Sequence, residues 1–168
     1  MAEPREASPA ASTSYEPSEA ELRQAIELLF YAYRDFTSDP DAILKEYGFG
    51  RAHHRVVHFI GRNSGITVSD LLAILKITKQ SLSRVLSQLV REGFVRQEQG
   101  SRDRRQRLLY LTEKGRELDR RLEAPQRVRF AEAFRAAGPD SVAACRAVLA
   151  NLINADERER ILASIDRP

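Results

Sequence analysis

Tryptophan is absent from this 168-residue chain, and cysteine and methionine occur once each. The single thiol, Cys145, excludes an internal disulfide framework, and one thiol cannot by itself hold a structural zinc ion. Metal could therefore enter only through histidine and carboxylate. Long apolar stretches are missing too: the longest unbroken run is six residues, Leu28 to Tyr33, far below the ~20 that cross a bilayer. Met1 to Pro17 contains no basic segment followed by an apolar one, so no secretory signal is read there and the expected location is the cytoplasm. Neither a Gly-rich phosphate loop nor a Gly-x-Ser-x-Gly nucleophile turn occurs. Enzymatic chemistry finds no support, and no cofactor or metal is expected.

What is present is ordinary globular material on the polar side, with 42% hydrophobic and 30% charged residues. The length suits one domain with an appended arm. Lys and Arg number 27 against 24 for Asp and Glu, a net charge of only +3. Distribution matters more than the total. Arg102, Arg104, Arg105 and Arg107 fall close together with only Asp103 opposing them, a local field suited to phosphate.

Pro4, Pro9 and Pro17 punctuate a first segment without apolar periodicity, and it is read as a flexible arm. From Ser18, an N-cap with Glu21 three residues on, Leu22, Ile26, Leu29, Phe30 and Tyr33 form one stripe of an amphipathic helix. That helix is expected to stop near Ser38, before Pro40, with a short helical turn over Asp41 to Tyr47. Arg51 to Arg62 is the next helix, carrying Val56, Phe59 and Ile60 on one face. Late in the chain, a long helix capped by Thr112, with a kink expected at Pro125, precedes one with Val142, Cys145, Val148, Leu149, Leu152 and Ile153. A short last helix reaches Ile165.

Between them lies the segment that carries the chemistry. Thr67 caps a two-turn helix and Thr78 caps another, in which Leu82, Val85, Leu86 and Leu89 form the apolar side; two short helices joined tightly make a helix-turn-helix. The opposite face of the second helix holds Lys79, Gln80, Ser81, Ser83, Arg84 and Ser87, donors and small hydroxyls that allow close approach to a groove. Phe94 to Gln99 and Arg107 to Thr112 are β-prone, and the basic turn between them makes a hairpin. The fold class is therefore mainly α with a small β-hairpin wing. A run of arginines is more often a solvated face than a binding site. Placed on a hairpin tip directly after a polar helix face, it reads instead as a surface for double-stranded DNA.

Thr67-Val68-Ser69-Asp70-Leu71, Ile77 to Arg84 and, above all, Asp103-Arg104-Arg105-Gln106-Arg107-Leu108-Leu109-Tyr110-Leu111-Thr112-Glu113-Lys114-Gly115 resemble MarR-family transcriptional regulators over about residues 20 to 165. Gly48 to Val56 is similar to the PetP-type branch of that family. The resemblance implies a winged lobe on a helical dimerisation region, and a homodimer that binds a near-palindromic operator and usually represses transcription. It implies domains over residues 1–17 (arm), 18–47 (dimerisation helix and connector), 48–115 (winged helix-turn-helix) and 116–168 (dimerisation helices). In the family pattern the arginine two residues after the wing Asp enters the minor groove while the Asp orients it, here Arg105 and Asp103, with Arg102 and Arg104 beside them. The chain departs from the pattern where Gly100-Ser101 replaces the usual Asp-Pro at the loop opening. Many members take small anionic or aromatic effectors, which Tyr33, His53 and Arg55 would line here.

Two other readings stand beside this one. A winged helix can survive as a protein-interaction module without DNA binding, and the intact wing arginines argue against that. His54 and His58, four residues apart on one helix face, could begin a metal-responsive site, but two ligands are too few. His53 is expected to be packed or effector-lining, His54 to be polar surface, and Cys145 to be buried.

Overall fold

The computed structural model describes residues 15–100 and 103–166. Residues 1–14 of the expected arm, and Arg102 of the basic run, lie outside them. The first helix, α1 (Glu19–Glu46), begins with a reciprocal cap: Ser18 Oγ accepts the Glu21 N–H at 3.3 Å, and the Glu21 carboxylate accepts the Ser18 N–H at 2.8 Å. It does not stop at Ser38. It continues through Pro40 to Glu46, joining the two segments expected on either side of the proline. Pro40 has no N–H to give the Phe36 carbonyl four residues back. Gln126 supplies a donor instead, its Nε2 lying 3.4 Å from the Phe36 oxygen. With that carbonyl satisfied, Pro40 and Leu44 are buried, and the helix gains more from packing than the missing bond costs.

Two compact units divide the chain, residues 1–35 and 36–168. In the first, every described residue from Tyr15 to Arg34 is exposed. The apolar stripe stands in the open, with Leu22, Ile26, Leu29 and Tyr33 at 44%, 57%, 51% and 53% exposure.

In the second unit the order is α2 (Arg51–Arg62), β1 (Ile66–Thr67), α3 (Val68–Leu75), α4 (Lys79–Arg91), β2 (Val95–Gln99), β3 (Arg107–Leu111), α5 (Glu113–Ala137), α6 (Ser141–Leu152) and α7 (Ala155–Ile165). Three threonines start three of these helices. Thr67, Thr78 and Thr112 each accept the N–H three residues on, from Asp70, Ser81 and Gly115, at 3.1 Å, satisfying donors the first turn leaves orphaned. The wing is antiparallel, in register from Val95 opposite Leu111 to Gln99 opposite Arg107. A third strand joins it: β1 adds to the free side of β3. The sequence pattern does not announce it, because two residues are too few to show a period.

One core ties these elements together. Val56, Val57 and Ile60 of α2 meet Leu71 and Leu75 of α3, Leu82, Val85, Leu86 and Leu89 of α4, Leu109 and Leu111 of β3, and Leu118 and Leu122 of α5. Beyond Leu122 burial stops. Helix α5 passes Pro125 unbroken and lies along the second half of α1 through an Arg129–Asp39 ion pair at 3.2 Å and an edge contact of Phe130 on Phe36. Helices α6 and α7 bury no residue. Cys145 is accordingly half-buried rather than buried, because α6 meets α5 and α7 without being enclosed by them.

Candidate nucleic-acid interface

Helix α4 presents two chemically distinct faces. Its leucines and Val85 point into the core, which leaves Gln80, Arg84, Ser87 and Arg91, spaced by four, three and four residues, along the opposite side of the helix. All four are exposed, as are Lys79 and Ser83 at the margins. Ser81 is drawn aside: Thr78 Oγ1 donates to its hydroxyl at 2.9 Å and takes its backbone N–H, so it serves the cap more than the open face. Arg91 lies at the far end of that face, where its guanidinium is 3.5 Å from the Glu92 carboxylate.

The hairpin stands out of the core from its base. Of β2 only Val95 is buried, and Arg96 to Gln99 are exposed on both faces. Arg96 lies over the Tyr110 ring at 4.4 Å and pairs with Glu98, which neutralises the middle of the wing and leaves its positive charge at the tip. There Asp103, Arg104, Arg105 and Arg107 are exposed. The Asp103 carboxylate accepts the Arg105 backbone N–H at 2.9 Å, and its carbonyl accepts the Gln106 N–H at 3.0 Å. Asp103 thus shapes the turn from which Arg105 projects, acting on its backbone. Gly100 permits that turn, since a Cβ there would lie 2.7 Å from the Asp103 carbonyl oxygen.

Wing and helix are seated on one another at the start of α5. Thr112 donates its hydroxyl to the Gly93 carbonyl at 2.6 Å and its N–H to the Phe94 carbonyl at 3.0 Å. Lys114 reaches the Glu92 carbonyl at 2.9 Å with its ammonium 4.1 Å over the Phe94 ring, a cation at the negative end of α4. The base of the wing is thereby fixed to the end of α4 that carries the donor face.

The three residues expected to line an effector site fall in different units. Tyr33 belongs to the first. His53 and Arg55 lie on α2 in the second, and both side chains have partners in their own lobe: His53 meets Gln88 at 3.0 Å, and Arg55 donates to the Leu75 carbonyl at 2.8 Å. His54 is half-buried rather than open polar surface. Burial holds its imidazole below the usual range, with His58 adding to the effect and Asp41 opposing it. Among the described residues no three His, Cys, Asp or Glu side chains are grouped so as to hold a metal ion, and no helix is long and apolar enough to cross a membrane.

This geometry has close counterparts among known proteins. The MarR family model matches residues 47–106, from the end of α1 to the wing tip. The HTH-type transcriptional regulator PetP of Rhodobacter capsulatus is 53% identical over 132 residues, covering 79% of this chain and 80% of that protein. The chain belongs to the MarR family. Its fold is that of solved members: Streptococcus pneumoniae FabT in complex with DNA has a TM-score of 0.69 at 19% identity, over 86% of this chain and 99% of that one. A mutant of MarR from E. coli complexed with operator DNA has 0.61 at 19%, over 83% and 100%. NadR in complex with 4-hydroxyphenylacetate has 0.62 at 21%, over 83% and 94%. What sets this MarR-family chain's surface can be read from its own residues: a helix face rich in neutral donors, and a wing whose net charge is confined to the tip.

Proposed function

We propose that this protein is a sequence-specific DNA-binding transcriptional regulator that acts in the cytoplasm as a homodimer on a near-palindromic operator. The observation that carries the reading is the joint seating of two surfaces. Gln80, Arg84 and Ser87 stand where a major groove would meet α4, and Arg104 and Arg105 stand where the hairpin would reach the backbone and minor groove. Arginine in the narrow groove and on phosphate supplies affinity, while the α4 donors supply base discrimination. Repression is the expected direction, because a dimer on its operator excludes other proteins from that DNA.

Dimerisation is supported by exposed apolar surface. Leu22, Ile26, Leu29, Phe30 and Tyr33 on α1, with Val148, Leu149 and Leu152 on α6, are all more than two-fifths exposed, and a two-fold interface would cover such stripes. A small anionic or aromatic effector belongs to the same reading, since NadR, alike in fold, holds 4-hydroxyphenylacetate. A ligand at His53 or Arg55 would compete with the bonds those side chains already make.

The test is fluorescence anisotropy with a labelled duplex selected from a random pool, set against a scrambled duplex at several salt concentrations. Tighter binding to the selected duplex, with a steep salt dependence, supports the reading. Equal, weak binding to both at low salt would favour the protein-interaction module instead.

A further inference from the structure

We propose that His53 and Arg55 are positioning residues for DNA recognition, a two-armed clamp by which α2 sets the angle between the two helices of the helix-turn-helix. The inference rests on the DNA-binding reading above and extends it to residues that do not lie on the DNA-facing surface.

The first arm is His53. Its Nδ1 accepts the Gly50 backbone N–H at 3.1 Å, so the ring proton sits on Nε2, which donates to Gln88 Oε1 at 3.0 Å. Both ring nitrogens are used. The ring plane is fixed as well, stacked on Phe49 with 4.6 Å between centroids and 4° between planes. Phe49 meets Phe94 edge-on at 5.2 Å, and Phe94, just beyond the end of α4, donates its N–H to the Leu89 carbonyl at 2.9 Å. Gln88 itself is half-buried, one residue from Ser87 and one turn from Arg84. His53 therefore holds the flank of α4 at the level of the residues that would read bases.

The second arm is Arg55, two residues along α2. Its Nη2 donates to the Leu75 carbonyl at 2.8 Å, at the last residue of α3. The next residue, Lys76, takes the left-handed conformation at φ 53°, and the chain turns there into Thr78 and α4. Arg55 thus fixes the point at which α3 hands over to the recognition helix, while His53 fixes α4 two and a half turns later. A rigid rod pinned at its entry and along its flank has one orientation. Base contacts need that orientation, whereas phosphate contacts from the wing tip depend on it far less.

The consequence is measurable as a ratio. Gln is the residue a capping box uses at this position, so His53→Gln keeps an acceptor for the Gly50 N–H while removing the arm to Gln88. It should lower the preference for a selected duplex over a scrambled one about tenfold, with the melting temperature and the scrambled-duplex affinity near the parent values. Gln88→Ala should do the same, and the double variant should lose no more than either single one. Arg55→Ala, which acts on the other arm, should lower the same ratio independently. Duplexes selected by the parent chain from a random 30-base-pair pool are the probes, read by fluorescence anisotropy. A parent chain that does not discriminate refutes the functional reading and the clamp with it. A parent that discriminates beside a His53→Gln variant that discriminates equally well overturns the clamp alone. So does a double variant whose loss is the product of the single losses, because His53 and Gln88 would then act separately.

Discussion

Gly115 lies in the first turn of α5, where replacing glycine with alanine ordinarily helps. Intrinsic propensity favours Ala over Gly by about 1 kcal/mol in a helix, and lower backbone entropy in the unfolded chain works in the same direction. The structure demands the opposite sign. A Cβ at 115 would sit 2.1 Å from the Phe94 carbonyl oxygen and 3.1 Å from its carbon, and both atoms are backbone that cannot rotate away. That carbonyl also accepts the Thr112 N–H at 3.0 Å, so relieving the clash pulls on the bond seating the wing against α5. Overpacking of this kind costs about 1 to 3 kcal/mol or more, to which a strained hydrogen bond adds about 1. Gly115→Ala should therefore destabilise by about 2 kcal/mol net of propensity, lowering the melting temperature by roughly 4 to 8 °C. The control is Gly50→Ala, where nothing lies within 4 Å of the added Cβ and the backbone is already extended at φ −134°. With no clash it should lose only what Ala gives up against Gly at an N-cap, about 0.5 to 1 kcal/mol. Urea unfolding followed by circular dichroism gives both numbers. A Gly115→Ala protein as stable as the parent would mean that α5 and the wing are not in contact as described.

Arg105→Ala should weaken binding to every duplex and flatten the salt dependence by about 0.9 in log–log slope for each phosphate the side chain neutralises, whereas Arg84→Ala should reduce discrimination by about 1 to 3 kcal/mol. Anisotropy titrations would show the reverse pattern if the wing and helix roles were exchanged. Leu29→Asp and Leu152→Asp, which put charge on exposed apolar stripes, should each shift the mass seen by light scattering from dimer towards monomer; an unchanged dimer would place the interface elsewhere. His54 gives a pH signature. Its folded imidazole is held below the ordinary value by burial, so the unfolded chain takes up that proton first, and stability falls as pH drops through the imidazole's ordinary pKa of about 6.5. Thermal melts at neutral and mildly acidic pH should show a smaller acid loss in His54→Gln than in the parent, and an equal loss would mean that the site is wet.

Much of the DNA-binding lobe is legible in the sequence because its signals are local. Thr67, Thr78 and Thr112 are caps that act within three residues, and Leu82, Val85, Leu86 and Leu89 repeat at the helical period, so the order of elements and the polar face of α4 follow from the chain alone. What escapes is set by residues far apart in sequence. Nothing near Ile66 announces a strand, because it pairs with Leu109. The partners of His53 and Arg55 escape too, because a polar side chain on a helix does not name its partner; Gln88 and the Leu75 carbonyl are 35 and 20 positions away.

The proline in α1 shows the same division at a single atom. Local chemistry says that Pro40 removes a donor and disfavours the helical conformation in the residue before it, and from the sequence that is reason enough to end the helix. The Phe36 carbonyl finds its replacement donor 90 residues later, in Gln126, so the penalty is met by tertiary structure that no local pattern reports. Continuity through Pro40 then explains why one apolar stripe has two fates. In the sequence, Leu22, Ile26, Leu29 and Tyr33 share one 3.6-residue period with Pro40 and Leu44. The first four are exposed, and the last two are buried in their own chain. Such a period, exposed in one unit and buried in the other, is what the homodimer proposed above would require, and α1 carries both halves because Gln126 supplies the donor that Pro40 lacks.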